Sequence, residues 1–470
     1  MTVHLGSRAL PRHAGSPRRY PRRRPLGVDL TALIGGVGFG AVVAQWLITM
    51  PSVTTGAGAA RVRPSLGNVL LAAGQLSGLA AAYFALIGLL LVARVPVLEQ
   101  TLGLDRLLRT HRKLGPWLGY AMLAHVALVT LGYAANQHSG PLTQLWAQVS
   151  TYEWVWLAAI GVVLILLAGL ASWRVIRARI SYETWWLLHL TMYLGIAFAF
   201  LHQLTNGAAF IRHPVARTLW TVFFLGVFGC LLAYRAGLPL ARAWRHRLRV
   251  VAVVREAPGV HSVVLTGDRL DDLPLAGGQF ALWRFLTPTL WWQAHPYSVS
   301  GLVRGGRLRI TVKDSGDHSG ALRRLRPGTG VLMEGPYGVF TAAAREPGYP
   351  VLLVAGGVGV TPIRALLEDL PRDARPVVLY RARRSVDILF RDEIETLVAA
   401  RGGRVAYLVG DRDRQPLTAS RLLSLVPDLA RRSIYVCGPG SMVAGVVSAA
   451  RAVGVPARRV HVEAFTFHGE

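Results

Sequence analysis

Four histidines sit inside long apolar stretches, where an ionisable side chain is costly and marks chemistry. They are His111 and His125 on one stretch, His189 and His202 on another. His111 and His125 are 14 residues apart, a helical rise of ~21 Å and a rotation about 40° short of four turns. They therefore share a helix face at two depths. His189 and His202 are 13 apart, ~19.5 Å in rise, which puts the second ring roughly 140° from the first on an ideal helix. A bulge, an over- or underwound turn, or side-chain reach must absorb that rotation. Two cross-helix pairs at two levels, His111 with His189 and His125 with His202, suit two stacked b-type haems with two axial imidazoles each. Neutral imidazoles also bind metals such as zinc, but paired levels on parallel helices suit haem better. A lone histidine would read as an interhelical hydrogen bond.

The elements that place these rings follow from composition. Of 470 residues, 52% are hydrophobic and 16% charged, with two cysteines. Soluble domains carry about 25% charged residues, so this chain is too apolar for that class. Two thiols exclude a disulfide scaffold and a cysteine-ligated iron–sulfur cluster. Six stretches can span a bilayer, at about 28–50, 67–93, 106–134, 153–173, 183–203 and 215–236. Residues 1–250 hold 24 Lys+Arg against 5 Asp+Glu, and residues 251–470 hold 28 against 20. Basic clusters interleaved with apolar runs indicate cytoplasmic arginines of a membrane protein rather than a nucleic-acid binder. The clusters fall on the N-terminal arm, at Arg94–Lys113, at Arg174–Arg179 and at Arg235–Arg247, whereas 135–152 has no Lys or Arg. Both termini are therefore expected in the cytoplasm of a multi-pass cell-membrane protein. Arg109, Arg112 and Lys113 flank the inner histidine level, where they serve topology or haem propionates.

The stretches 111–126 and 181–203 resemble the ferric reductase-like transmembrane domain, which includes ferric-chelate reductases and NADPH oxidases. The resemblance implies a six-helix core with two haems.

Past residue 246 the periodicity turns strand-like, with RLRVVAVV, HSVVLTG, RLRITVK and TGVLMEG separated by Gly/Pro turns. This predicts an antiparallel β-barrel. After Gly348, strands alternate with helices, which predicts a parallel α/β sheet. The expected domains are a basic arm 1–27, a six-helix haem domain 28–240, a β-barrel domain 246–345 and an α/β domain 346–470.

Several motifs carry chemistry. HPYSVS at 295–300 offers an aromatic ring to a flavin or adenosine face and a hydroxyl to a flavin nitrogen. KDSGDHSGAL at 313–322 offers Lys313 and a turn around Ser319 suited to pyrophosphate, or an ordinary capped turn. GPYG at 335–338 is a turn closing the barrel. LVAGGVGVTPIRALL at 353–367 runs a strand into a glycine turn and a helix, a nucleotide site without GxGxxG. Thr361-Pro362 is expected as N-cap and first helical residue. YVCGPGSM at 435–442 places Cys437 beside the crevice, as a core thiol or a nicotinamide contact. Phe465 is a candidate aromatic lid or a core residue. Arg381, Arg383 and Arg384 follow a strand, where arginine favours the 2′-phosphate of NADPH over NADH.

In this order the motifs resemble the ferredoxin–NADP reductase family over about 246–470. The resemblance implies flavin contacts at Tyr297 and Ser298 and FAD-phosphate contacts at Lys313 and Ser319. It implies nucleotide contacts at Gly356, Gly357, Gly359, Thr361, Cys437, Gly438 and Pro439. His295 matches the histidine of the corresponding NADPH oxidase motif. Together the halves imply electron flow from NAD(P)H through FAD and two haems to an outer acceptor, foremost a ferric chelate. Superoxide production and a non-catalytic haem relay for a partner protein are the alternatives. NADPH oxidases resemble one another in a further histidine one turn past the outer ligand and an arginine on helix 2. Here Val129 stands at the first position, and 67–92 has no arginine.

Overall fold

The structure is a computed structural model that describes residues 30–49, 65–411 and 417–464. The arm 1–27 and Phe465 lie outside the described residues.

Helices α1 (Leu30–Thr49), α2 (Leu66–Val92), α3 (Leu104–Gln137), α4 (Val155–Ser172), α5 (Tyr182–Asn206) and α6 (Pro214–His246) form the N-terminal half. Among the described residues, five helices, α2 to α6, are long and apolar enough to cross a bilayer. The first expected span is helical too, over the 20 residues Leu30–Thr49. Large apolar side chains such as Leu187, Leu219 and Leu225 face outward, as lipid contact requires. The stretch 135–152, expected as a loop, is largely a helix, Pro141–Thr151. It buries Gln144 and Gln148 and exposes Leu142 and Trp146, the reverse of a water-soluble amphipathic helix.

Backbones approach closely where glycines meet. A Cβ on Gly67 would lie 2.8 Å from the Gly132 carbonyl oxygen, which brings α2 onto α3. A Cβ on Gly161 would lie 2.6 Å from the Gly195 carbonyl oxygen, which brings α4 onto α5. Small residues serve such packing in membranes, where no hydrophobic force distinguishes helix from lipid. The two pairs, α2 with α3 and α4 with α5, are each tightly knit, and the histidines face one another across the gap between the pairs. Helix α6 passes through a π-turn at Ala233–Gly237 and leads into the first strand.

Strands β1 (Arg249–Ala257), β2 (Val260–Thr266), β3 (Phe280–Phe285), β4 (His295–Arg304), β5 (Arg307–Lys313) and β6 (Val331–Tyr337) form an antiparallel sheet of order β1-β2-β5-β4-β3-β6. The expected closed barrel is not found. The edges meet only through the isolated Arg249–Gly330 bridge and flanking bonds such as Val250 N–H to the Thr329 carbonyl, 2.9 Å. The sheet curls around a core that includes Trp283, Phe285, Val299 and Ile310.

The last domain has β7 (Val351–Gly356), β8 (Val377–Ala382), β9 (Arg404–Val409), β10 (Ser433–Gly438) and β11 (Val460–Ala464), all parallel in order β11-β10-β7-β8-β9. Helices α7 (Val360–Asp369), α8 (Arg391–Ala399), α9 (Ala419–Leu425) and α10 (Gly440–Ala452) accompany it. The chain moves outward from β7 to β9, then returns to the other side of β7. That reversal opens a crevice at the carboxyl ends of β7 and β10. An ion network joins this domain to the antiparallel sheet. Arg364 contacts Glu368, donates to Glu393 at 2.7 Å and to the Ser300 carbonyl at 3.1 Å. Arg309 adds two bonds to Glu393, 2.9 and 2.7 Å.

Gly195→Leu is expected to lower the melting temperature of the detergent-solubilised protein, a cost of about 1–3 kcal/mol from overpacking. Gly169→Leu, whose Cβ would meet nothing within 4 Å, is expected to leave it unchanged. Equal losses in both variants would contradict the glycine contact.

Candidate functional site

The four membrane histidines meet as two pairs. The ring centres of His111 and His189 are 6.2 Å apart, those of His125 and His202 6.3 Å. Two imidazoles bound trans to one metal at about 2.0 Å, each with a ring radius of roughly 1.1 Å, would have centres about 6.2 Å apart. The spacing therefore fits a shared metal and is too wide for a direct hydrogen bond between most ring orientations.

Proton positions agree with this fit. His111 Nδ1 donates to the Gly88 carbonyl at 3.0 Å, and His125 Nδ1 to the Gly74 carbonyl at 2.8 Å. A carbonyl only accepts, so each Nδ1 carries the proton and each Nε2 keeps a lone pair. Metal-ligating histidines are commonly oriented this way. Gly74 and Gly88 repeat on α2 the 14-residue spacing of the histidines on α3. Gly78 leaves room for the ring, since a Cβ there would sit 2.5 Å from His125 Nδ1. His189 Nδ1 lies 3.2 Å from Ser172 Oγ, and Trp185 stacks on the His189 ring at 5.2 Å. Helix α5 is uninterrupted from Tyr182 to Asn206. The awkward 13-residue spacing is thus met by side-chain reach from a regular helix, with no bulge. His125 and His202 line a cavity of about 650 Å³ whose lining has no charged residue.

The second centre is built on β4. Phe280 pairs with Ser298 and Ala281 with Tyr297, so the motif sits inside the sheet. The Tyr297 hydroxyl lies 3.0 Å from His318 Nδ1, and the rings of His295 and His318 stack at 3.6 Å. Burial pushes the Tyr297 phenol well above its ordinary value, so it keeps its proton, and its hydroxyl shares one hydrogen bond with His318 Nδ1. The other ring nitrogen of His318, Nε2, is buried with no partner. Ser298 Oγ is also buried and unpartnered. An imidazole nitrogen and a hydroxyl without protein partners, beside stacked rings, fit a polar heteroaromatic ligand such as flavin. His318 escaped the sequence reading. Its signal was a histidine inside the KDSGDHSGAL turn.

The third centre is the crevice, a cavity of about 990 Å³. It gathers Lys313, Gly356, Gly357, Arg383, Gly438 and Pro439, with Arg384 and Asp387 at the rim. Lys313 thus faces the nucleotide crevice. The Ser319 hydroxyl is engaged locally, accepting from Ser315 N–H at 2.8 Å and donating to the Gly316 carbonyl at 2.9 Å. Gly359 must be glycine, because a Cβ there would lie 2.4 Å from the Cys437 carbonyl oxygen. That approach brings the two strand-end turns together. Gly359, rather than Thr361, caps the helix, and the Thr361 hydroxyl donates to the Val358 carbonyl at 2.9 Å. Cys437 is fully buried, and burial pushes its thiol well up, so it stays protonated. It packs in the core behind the crevice. Arg384 is paired with Asp387 at 2.8 Å.

Burial, then the neighbouring His295, lowers His318 to about 4, and burial lowers His295 as well. A histidine held below its unfolded value of about 6.5 binds fewer protons folded than unfolded. Stability is then fully present above about pH 6.5 and is lost as pH falls toward about 4. Unfolding of the full chain, followed by flavin fluorescence between those limits, is expected to show this loss. His318→Gln is expected to flatten the slope, and an unchanged slope would contradict the neutral stack.

Residues 77–200 match the ferric reductase like transmembrane component family, and residues 353–448 the oxidoreductase NAD-binding domain family. Ferredoxin–NADP reductase B of Sorangium cellulosum is 33% identical over 223 residues, which cover 41% of this chain and 81% of that protein. A flavohemoprotein of Vibrio cholerae is 30% identical over 37% of this chain, and the match spans 47% of that protein's length. The solved FAD/NAD-binding domain of Vibrio cholerae nitric oxide dioxygenase is 27% identical, with a TM-score of 0.41, covering 47% of this chain and 98% of that structure. The reductase module binds FAD and NAD(P)H. The chain belongs to the ferredoxin–NADP reductase family through its C-terminal module, here joined to a ferric reductase-like transmembrane component.

Proposed function

We propose that the chain is a transmembrane oxidoreductase that links cytoplasmic NAD(P)H to an acceptor on the outer side, with FAD and two b-type haems as cofactors. The observation that carries this reading is the pair of ring separations, 6.2 and 6.3 Å, at two levels of one bundle. His111 with His189 would hold the inner haem, and His125 with His202 the outer. When bound, the haems supply one-electron chemistry, and the flavin supplies the exchange between a two-electron donor and one-electron carriers.

The chain's own residues do the positioning. Gly88 and Gly74 carbonyls fix two rings with Nε2 toward the gap. Tyr297, Ser298, His295 and His318 form the flavin-facing wall. Lys313 and the turns at Gly356, Gly357 and Gly438 would receive nucleotide phosphates. Arg383, exposed at the crevice, favours NADPH. Cys437 supports the crevice from behind with a protonated thiol, and Phe465 keeps its proposed role as a lid. The arginine distribution supports a cell-membrane protein with both termini in the cytoplasm.

A ferric chelate is the proposed acceptor, a reading supported by the family match of 77–200. Val129 argues against a dedicated superoxide generator. It packs on Gly74, whose Cβ would lie 2.7 Å from Val129 Cγ2, so this turn of α3 serves helix packing.

Full-length protein, purified anaerobically with FAD, is expected to show reduced b-type haem bands when NADPH is added. Haem extraction is expected to give two per chain, and one in His111→Ala or His125→Ala. No haem after haem-supplemented expression would sink the proposal, as would haem that neither NADPH nor NADH reduces. Reoxidation by ferric citrate faster than by air would support the chelate, and the reverse order would refute it.

A further inference from the structure

The reductase module meets the bundle through a compact charged contact. Arg94 follows α2 with φ of 63°, a left-handed conformation uncommon outside glycine. Such a conformation persists where surrounding contacts fix it. The Arg94 guanidinium lies 4.5 Å from the Tyr337 ring centre, 3.4 Å from Glu99 and 3.9 Å from Glu334. Glu334 also accepts from Arg235 at 2.7 Å and from the Tyr337 hydroxyl at 2.8 Å. Arg235 sits in the π-turn of α6, an irregularity common at functional positions. Arg242 donates to the Gly335 carbonyl. The side chains of Arg94, Glu99 and Glu334 are only 13, 12 and 17% exposed. One carboxylate of β6 is thus gripped by guanidinium groups from two membrane helices, at a depth where salt screens weakly.

The contact lies between two of the sites described above. Glu334 pairs with Leu282 on β3, and Leu282 pairs with Pro296 beside His295 and Tyr297. On the other side, Arg94 stands six residues past Gly88, whose carbonyl holds His111.

We propose that Arg94, Arg235 and Glu334 are positioning residues that dock the flavin-bearing sheet on the bundle and hold the Tyr297 site in register with the His111–His189 pair. The proposal rests on the electron path proposed above. Removing Glu334 leaves Arg94 with Glu99 alone and takes from Arg235 its carboxylate on the sheet, which opens the contact.

The test uses the full chain in lipid nanodiscs with FAD, mixed anaerobically with NADPH in a stopped-flow instrument. In Glu334→Gln and Arg94→Gln, flavin reduction is expected within about twofold of the parent, and haem reduction roughly tenfold slower or more, as for truncated buried charge pairs. Arg94→Lys, which keeps the charge, is expected to recover much of the rate. Hydrogen exchange gives a readout independent of haem. Amides of 94–102 and 331–337 are expected to exchange faster together in Glu334→Gln. If haem in the parent is not reduced at all, the electron path fails and exchange alone decides the docking role. Unchanged exchange in Glu334→Gln overturns the proposal. So does equal slowing of flavin and haem reduction, which marks a fold defect.

Discussion

Hydrocarbon offers no hydrogen-bond partner, and this constraint shapes the membrane half. A histidine ring placed there needs both nitrogens answered. For His111 and His125, one answer comes from the backbone of α2, at Gly88 and Gly74. Only a close helix pair brings a carbonyl within 3.0 Å of a neighbouring ring, and only glycines such as Gly67, Gly132 and Gly78 permit that closeness. With Nδ1 committed, Nε2 is left facing the gap between helix pairs. The glycine contacts, the ring tautomers and the gap are therefore one arrangement rather than three features.

The reductase module answers a different constraint, since it must open a crevice without losing rigidity. Strand order sets the crevice between β7 and β10. The Gly359 turn and the end of β10 then approach so closely that the glycine run needs no GxGxxG spacing. Rigidity comes from Arg309, Arg364, Glu368 and Glu393, which join the two domains of the module. Breaking such a network by removing one member leaves an uncompensated buried charge, so the two domains are expected to move as one body.

Much of this was legible in the sequence, and the exceptions share a cause. The histidine levels, the apolar spans, the change of periodicity at 246 and the order of motifs are local patterns. Local patterns survive in one dimension. The helix at Pro141–Thr151 was missed because its polar face is buried and its apolar face is exposed, which inverts the usual cue. The barrel was expected because four strand-like runs lie close in sequence, whereas closure depends on a β1–β6 ladder that amounts to one bridge and its flanking bonds. His318 joins the Tyr297 site from 21 residues away, and Glu334 reaches Arg235 across 99. No spacing rule announces partners at such distances. The 13-residue spacing on α5 is instructive in another way: ideal helix geometry flagged a conflict that flexible side chains resolve.

The join between the halves explains why its chemistry is charged. Helix α6 continues through its π-turn and nearly reaches β1, so the chain itself tethers the module at one point. A single tether leaves rotation free. A second contact made of apolar side chains would compete poorly with lipid, because hydrocarbon solvates leucine as well as protein does. Charges at the bilayer boundary have no such alternative: they are excluded from lipid and are satisfied by one another or by water. An Arg–Glu–Arg contact with Tyr337 against it is therefore selective for the docked arrangement in a way that apolar packing at that height could not be. The same reasoning accounts for Arg94 holding a strained backbone. The strain is offset by the Glu99 contact and by contacts to Tyr337 and Glu334 that exist only when the sheet is docked, which makes the end of α2 part of the interface rather than a simple helix terminus.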